Sequence, residues 1–461
     1  MGVGGKALAM TISETGRLSS VSTRLAFLAA LAITIAGCAA RGSTPTDQYD
    51  AAVATSWFDL YLDIVPTTPG FTPPVASRAF GYAGVAVYES VVPGMPGYQS
   101  LAGQLNELTS LPQPAANQEY HWPTVANSAL ASLTRELFAN TTPENLAAVD
   151  ALEEKVAGEY KSKLDPAVFD RSVEHGRAVA EAIAKWAMTD GGHEGYLRNF
   201  PTDYTPPAGP GKWAPTPPNF QPALQPSWGN NRPFALKSGG QCAPEAPLQY
   251  SEDPGSEFYR QALEVHDTVA NLTPEQKTIA LYWADDPGKT PTPPGHSVSI
   301  ATQVLRQKGA SLALAAEVYA KVGIAAADSF IGCWNVKYTY NLLRPITYIQ
   351  AAIDPKWNTP EITDPVLTPP FPEYTSGHSV QSGAVAFVLT DLFGESFAFT
   401  DHTHDRRGLQ PRSFNSFFDF ANEAAISRLY GGIHFRAAIE RGLDQGKCIG
   451  QAVSAIRFRK Q

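Results

Sequence analysis

The chain has 461 residues, of which 43% are hydrophobic and 10% aromatic, and its formal net charge is -9. This composition excludes an intrinsically disordered protein, and the acidic balance argues against a nucleic-acid partner. Four cysteines in so long a chain do not make a disulfide scaffold. Proline is unusually frequent, with 38 prolines beside 37 glycines. Because proline interrupts helices and central strands, we expect long ordered connections.

Residues 1–37 are predicted to be an export signal. Basic residues precede an apolar run from Leu25 to Ala36 that is too short to span a bilayer as a stable helix. The run leads into Ile-Ala-Gly-Cys at 35–38, which resembles the lipobox of bacterial lipoproteins. The sequence therefore predicts lipidation at Cys38, a tether over 38–48 and a lipid-anchored protein of the bacterial cell envelope, in the periplasm or at the outer membrane. An ordinary secretory signal with a chance cysteine is the alternative.

The remaining cysteines are Cys242, Cys333 and Cys448. An exported protein can form disulfides, and at most one pair of these three can bridge within the chain. The sequence does not show which pair. The oligomeric state is also open, so a homo-oligomer is neither predicted nor excluded.

The body of the chain, residues 49–461, is predicted to be all-α. Apolar residues recur at three- and four-residue spacing, and alternating β-branched runs are scarce. The predicted helices cover 49–64, 75–92, 124–139, 143–163, 166–188, 254–269, 274–284, 296–308, 310–343, 378–394, 415–430 and 433–455. We expect two packed helical bundles of the four-helix type.

Two proline-rich stretches, 197–250 and 355–375, are predicted to be long loops. Loops of this length are usually functional. Trp213, Phe220, Trp228 and Phe234 alternate with the prolines of the first stretch, which favours loops packed onto a surface over flexible linkers.

Three motifs within 254–455 carry the chemistry, and the first contains two cations. Lys337 and Arg344 would be separated by about 700° on one helix, so both are predicted to project from the same face. Pro345 is predicted to end that helix. A solvated basic face is the alternative, although aromatic and leucine neighbours argue against full exposure.

The second motif, Ser376-Gly377-His378, opens a predicted apolar helix. Serine and glycine at a helix start present free backbone N–H groups at the positive end of the helix dipole, which suits an anion. A plain N-cap with a nearby histidine is the alternative.

The third motif contains Arg428 and His434, with Gly431-Gly432 between them. One straight helix would point the two side chains about 120° apart. The glycines can break the helix, so that Arg428 ends one helix, His434 begins the next and both face one pocket. The alternative is a buried arginine–carboxylate pair and a core histidine.

Together the motifs gather three cations, a serine, free amides and two histidines. This is the donor set of a tetrahedral oxyanion site, because guanidinium groups bind such anions through planar forks. Three clustered cations in an acidic chain also require a compensating anion.

The ordered set resembles the vanadium-dependent haloperoxidase family, which shares its scaffold with the type 2 phosphatidic acid phosphatase superfamily. The family pattern is Lys, six residues, Arg-Pro, then Ser-Gly-His, then Ser-Arg, five residues, His. It matches Lys337…Arg344-Pro345, Ser376-Gly377-His378 and Ser427-Arg428…His434. The resemblance implies a vanadate cofactor and oxidation of a halide by hydrogen peroxide to hypohalous acid. It identifies neither the halide nor the organic acceptor.

The resemblance also implies residue roles. His434 would bind vanadium, His378 would contact the apical oxygen as acid and base, and Lys337 would also polarise the peroxide. The equatorial oxygens would be bound by Lys337, Arg344, Ser376, the Gly377 amide and Arg428.

Three further positions carry roles by the same resemblance. Trp334 and Phe371 stand where chloroperoxidase-like members carry Trp and Phe near the halide. Asp285 is the expected partner of one of the arginines, because the family places an acid there.

Two positions depart from the family pattern. Thr375 replaces the usual proline before Ser-Gly-His. Ala438 replaces the acid that the superfamily often carries four residues after the second histidine, and that acid orients the nucleophilic histidine in phosphatases. Its absence weakens the alternative of an acid phosphatase with a phosphohistidine intermediate. It also leaves open what fixes the tautomer of His434, for which a backbone carbonyl could serve.

Two other hypotheses remain. A non-catalytic envelope lipoprotein is disfavoured because the motif residues are all present. The stretch Asp401-His402-Thr403-His404-Asp405 has histidines spaced as divalent-metal ligands often are, but a solvated charged loop is the favoured interpretation.

Overall fold

The computed structural model describes Met1, residues 42–360 and residues 366–460. The predicted signal over 1–37, Cys38 and the beginning of the tether therefore lie outside the described residues, apart from Met1. The described part contains thirteen α-helices and one two-stranded sheet, so the all-α prediction is confirmed. No helix in this part is long and apolar enough to cross a membrane.

The elements follow one another in this order: α1 (Ala52–Ile64), α2 (Pro73–Val91), α3 (Trp122–Leu137), α4 (Pro143–Lys161), α5 (Pro166–Ala187), α6 (Glu257–Ala270), α7 (Pro274–Tyr282), α8 (Thr292–Gln307), α9 (Leu312–Tyr340), α10 (Pro345–Ala352), α11 (Gly377–Phe393), β1 (Phe399–Asp401), β2 (Arg412–Phe414), α12 (Phe417–Tyr430) and α13 (Arg436–Ser454). The strands pair antiparallel, with Phe399 opposite Phe414.

Helix α9 is almost entirely buried and joins the two predicted groups of helices. It packs against α2 on one side and against α11 and α13 on the other. Gly84 of α2 allows this close approach, because a Cβ there would lie 2.2 Å from the Tyr319 carbonyl oxygen. Helices of both groups thus share one continuous apolar core.

Helices α11 and α13 also pack at close range. A Cβ at Gly446 of α13 would lie 2.3 Å from the carbonyl oxygen of Val380 on α11. At the same contact the Ser376 N–H donates to the Ala438 carbonyl at 3.0 Å. The first turn of α13, just after His434, is therefore held against the beginning of α11.

The predicted end of α9 at Pro345 is wrong. The helix ends at Tyr340, because Asn341 adopts a left-handed conformation with φ 50°. Pro345 begins α10 instead, where its fixed φ and missing N–H are tolerated. Lys337 and Arg344 therefore lie on different elements and do not share one helix face.

The two proline-rich stretches are packed onto the helices. Asp328, buried in α9, accepts backbone N–H groups from Phe234, Ala235 and Leu236 at 2.7, 2.8 and 3.0 Å. The Leu224 N–H donates to Pro370, which joins the first stretch to the second. The packing prediction holds for three of the four aromatic residues: Trp213, Trp228 and Phe234 are buried, whereas Phe220 is exposed.

A disulfide also fastens the first stretch. Cys242 in that loop is bonded to Cys448 of α13, and Cys333 is a free, buried thiol. The pairing that the sequence left open is thus between these two cysteines.

Candidate oxyanion-binding site

A cavity of about 420 Å³ lies between the beginning of α11, the end of α12 and the two proline-rich stretches. Gly377, His378, Arg428 and His434 line one part of it, which we call the floor. Trp334 and Phe371 line the same cavity, with ring centroids 4.9 Å apart. The structure thus brings the second and third motifs together.

The third motif adopts the broken-helix geometry that its glycines indicate. Arg428 lies in the last turn of α12, Gly432 has φ 70°, and His434 lies in the linker before α13. The Arg428 guanidinium donates to the Ser427 hydroxyl and, at 3.4 Å, to the Ala280 carbonyl. Burial lowers the pKa of Arg428 to about 10, against the opposing charge of Asp285 and its neighbour.

Arg344 lies beside His434. Its Nη1 is 3.1 Å from His434 Nε2 and donates to the Ile433 carbonyl at 2.9 Å, while Nε donates to Phe371. Its Nη2 is buried and has no hydrogen-bond partner among the described residues. Burial lowers the pKa of Arg344 to about 10. A buried guanidinium N–H without a protein acceptor is a donor suited to an anion.

Lys337 fastens the segment that precedes the second motif. Its Nζ donates to the carbonyls of Pro372, Glu373 and Thr375 at 2.9, 3.0 and 2.5 Å. These three bonds use all three ammonium donors. Burial lowers the pKa of Lys337 to about 7. In this structure Lys337 therefore supplies charge and holds the segment, and it does not line the cavity.

Glu373 orients His434, a role that none of the sequence motifs predicted. Its Oε1 accepts hydrogen bonds from His434 Nδ1 at 2.8 Å and from the Phe435 N–H at 2.9 Å. With the proton on Nδ1, the lone pair of His434 is on Nε2. The group that fixes this tautomer, which the sequence left open, is thus a carboxylate and not a backbone carbonyl, and Glu373 takes the place of the acid that is absent at Ala438.

Glu373, His434 and the cations beside them are all buried, and this burial shifts their pKa values. Burial raises the pKa of Glu373 to about 7, against the pull of Arg344 and Lys337. Burial and the surrounding cations, Arg344 first, hold the pKa of His434 well below its usual range. His434 is therefore a neutral imidazole with one nitrogen available to a ligand.

His378 is the second residue of α11. The Trp283 carbonyl holds its ring by a hydrogen bond, and burial together with Arg428 keeps its pKa well below the usual range. Its Nε2 is buried without a hydrogen-bond partner among the described residues. A neutral ring with an unpaired nitrogen is suited to accept and return a proton.

Ser376 is the N-cap of α11, since its hydroxyl accepts the Ser379 N–H at 3.4 Å. The residue is fully buried and lies behind the cavity wall. The first-turn amides of α11, including that of Gly377, have no acceptor within the helix and lie at its positive end.

Asp285 does not make the direct arginine pair that the sequence predicted. Within the described residues its carboxylate contacts His296 Nδ1 at 2.8 Å and His404 Nε2 at 3.3 Å. His296 Nε2 in turn lies 2.7 Å from Asp401. Asp285 acts on Arg428 only through its charge.

The solvated-loop interpretation of 401–405 is wrong for Asp401 and His404, which are both buried. Asp285, His296 and His404 are close enough to hold a metal ion. However, both nitrogens of His296 already contact carboxylates, and these carboxylates raise its pKa to about 10 although burial opposes the charge. We interpret the cluster as an imidazolium held between Asp285 and Asp401.

The residues around the floor fit vanadate. An oxyanion there would meet the first-turn amides of α11 and the cation of Arg428. Arg344 does not line the cavity, but its guanidinium, with the unpaired Nη2, lies beside His434, so the anion would offset the buried positive charges of the site. His434 Nε2 carries the lone pair through which the protein would bind vanadium.

The chain is similar to several known vanadium-dependent peroxidases. Residues 317–459 match the model of the second helical-bundle domain of vanadium chloroperoxidase. The crystal structure of the first bacterial vanadium-dependent iodoperoxidase is 39% identical, with a TM-score of 0.80, over 89% of this chain and 98% of that one. A holo-type bacterial vanadium-dependent chloroperoxidase is 16% identical, with a TM-score of 0.62, over 85% and 93% of the two chains, and shares the fold.

The vanadium chloroperoxidase of Curvularia inaequalis is 25% identical over 220 residues, which cover 36% of this chain and 36% of that protein. The chain therefore spans about a third of the length of this curated relative.

Proposed function

The chain belongs to the vanadium-dependent haloperoxidase family, and we propose that it is a vanadate-dependent enzyme that uses hydrogen peroxide to oxidise a halide to hypohalous acid. One observation carries the proposal. His434, a neutral histidine whose Nδ1 is fixed by Glu373, presents its other nitrogen at the floor of a cavity with buried cations.

The protein supplies the binding site and the proton transfers. When bound, vanadate supplies a Lewis acid that activates peroxide toward a halide. His434 Nε2 would be its protein ligand, and Arg344, Arg428 and the Gly377 amide would bind its oxygens. Binding requires Arg344 Nη1 to give up its contact with His434 Nε2. His378 Nε2 accepts the proton that hydrogen peroxide loses and returns it to the oxygen that leaves as water when the halide is oxidised.

The phosphatase and non-catalytic alternatives are not favoured. Ala438 no longer argues against a phosphatase, because Glu373 orients His434 in its place. The relatives that cover most of the chain are haloperoxidases, and they favour halide oxidation.

The decisive experiment is reconstitution of vanadate-free protein. We expect added vanadate to produce iodide or bromide oxidation with hydrogen peroxide, and His434→Ala to abolish it. His402→Ala is the control, because this histidine is exposed and outside the cavity. Hydrolysis of phosphate esters without vanadate-dependent halide oxidation would contradict the proposal.

We also propose that the mature protein is anchored to the bacterial cell envelope by lipid on Cys38. The lipobox-like motif and the polar tether after it support this proposal. Metabolic labelling with a radioactive fatty acid should mark the expressed protein, and Cys38→Ser should remove both the label and membrane association. Labelling that persists in Cys38→Ser would contradict it.

A further inference from the structure

The cavity is larger than the reaction of peroxide with a halide needs. Its volume is about 420 Å³, whereas peroxide and a halide are each comparable to one or two water molecules of about 30 Å³. Sites for organic ligands begin at about 300 Å³. Space therefore remains above the floor for an organic molecule.

The walls above the floor are mostly apolar. The first proline-rich stretch contributes Pro217, Pro218 and Leu224, and the second contributes Leu367 and Pro370. These walls lead down to the Trp334–Phe371 ring pair next to the floor. An electron-rich ring entering from the mouth would thus reach two aromatic side chains that can pack against it.

The rim exposes large apolar side chains to water. Phe200 is 40% exposed and Leu367 is 46% exposed, and both line the cavity. Phe220, 62% exposed, lies in sequence between the lining residues Asn219 and Gln221. Apolar side chains gathered at the rim of a cavity indicate a binding site.

The charges at the mouth favour a neutral molecule. Asp286 and Lys289 line the cavity and lie 3.8 Å apart as an ion pair. Asp285 is engaged by two histidines. Among the described lining residues, the remaining formal cation is Arg428, which belongs to the floor.

We propose that this cavity binds the organic acceptor, a neutral electron-rich aromatic of one or two rings such as a phenol, and that the acceptor is halogenated before hypohalous acid leaves. This inference rests on the proposed function. In the step, a ring carbon attacks the halogen, the carbon–halogen bond forms and the oxygen–halogen bond breaks. The ring proton and the released hydroxide give water, and the halogen gains the two electrons that the ring loses.

Binding tests the site without turnover. Calorimetric titration of phenol into vanadate-loaded protein, with no peroxide present, should show one saturable site. Leu367→Lys and Phe200→Lys should weaken binding about tenfold. Met188→Lys should leave it unchanged, because Met188 is also 46% exposed but lies outside this cavity. No saturable binding, or equal binding in all four proteins, would overturn the proposal.

Turnover tests where halogenation occurs. With iodide and peroxide, Leu367→Lys should show a KM for phenol about tenfold higher, whereas Met188→Lys, outside the cavity, should form triiodide at the wild-type rate and keep the wild-type KM for phenol. The ratio of iodophenol isomers from the wild type should differ from that of reagent hypoiodous acid, and Leu367→Lys should move toward the reagent ratio. Identical ratios of iodophenol isomers from the wild type, Leu367→Lys and the reagent would overturn the proposal that halogenation occurs in the cavity. Absence of triiodide would contradict the proposed function instead, and the calorimetric result would still decide the binding site.

Discussion

Glu373 determines which nitrogen of His434 is available to a ligand. It is fully buried and uses one oxygen to accept both the His434 Nδ1–H and the Phe435 N–H. Its charge is stabilised by Arg344 and Lys337. A single carboxylate therefore couples the ligand histidine to two of the three cations of the site.

We expect Glu373→Gln to weaken vanadate binding about 10- to 100-fold, as is usual when the partner of a metal-bound histidine is lost. The amide keeps the size of the side chain but removes the charge that favours the Nδ1–H tautomer. Equilibrium dialysis with vanadate measures the change. Glu264→Gln, which alters the half-buried partner of Arg436, is the control. Unchanged affinity in Glu373→Gln would contradict the assigned role.

The lowered pKa of Lys337 predicts how the affinity for vanadate depends on pH. Burial lowers its pKa from 10.5 to about 7, so the vanadate-free site loses a positive charge as pH rises through about 7. Affinity should then fall by up to about tenfold per pH unit. For the fold the sign is opposite: a lowered lysine pKa gives stability that is present above pH 10.5 and lost as pH falls through about 7.

The measurement is the vanadate dissociation constant between about pH 6 and 9 in wild type and Lys337→Met. Because vanadate itself changes protonation, the difference between the two proteins isolates the lysine. If the dissociation constants of the two proteins changed with pH in parallel, the pH effect could not be assigned to Lys337. Lys337→Met should also speed amide hydrogen exchange in residues 373–376, because the ammonium holds the carbonyls of Pro372, Glu373 and Thr375.

At the scale of elements, local sequence signals predicted the three motifs and twelve of the thirteen helices of the described residues, but not α10. Capping residues, apolar spacing and the Gly431-Gly432 break all act over a few residues, so they can be recognised in the sequence alone. The end of α9 depends on a left-handed Asn341 that no spacing requires. Glu373 was missed, and His404 was interpreted as part of a solvated loop, because their partners, His434 and Asp285, are 61 and 119 residues away in the chain. The signal that could have found Glu373 is an acid in an apolar, proline-rich segment beside a motif.

The contact of α11 with α13 sets the distance between the second and third motifs. A Cβ at Gly446 would lie 2.3 Å from the Val380 carbonyl oxygen, so Gly446→Ala should push the helices apart. We expect a loss of about 1–3 kcal/mol in unfolding free energy and weaker vanadate binding, measured by denaturant titration and dialysis.

Gly158→Ala provides the control for that substitution. Gly158 also lies within a helix, α4, but a Cβ there meets nothing within 4 Å. Alanine should stabilise this helix by about 0.5–1 kcal/mol and leave vanadate binding unchanged. Equal effects of the two substitutions would contradict the close-packing explanation.

For the whole molecule, the acidic total of -9 conceals a buried cationic site. Lys337, Arg344 and Arg428 are all buried, and burial lowers the pKa of each. Without an anion, folding must desolvate three cations that repel one another. An oxyanion that binds only the folded protein removes part of this cost and should therefore stabilise the entire fold.

We expect vanadate at about 100 times its dissociation constant to add about 2.7 kcal/mol of stability. With about 2.1 cal/mol/K of unfolding entropy per residue, this corresponds to a rise of about 3 °C in the melting temperature. Scanning calorimetry measures it, with chloride at equal ionic strength as the control. His434→Ala should lose most of the rise, because the ligand nitrogen is gone while the cations remain. A full rise in His434→Ala would mean that the cations alone hold the anion.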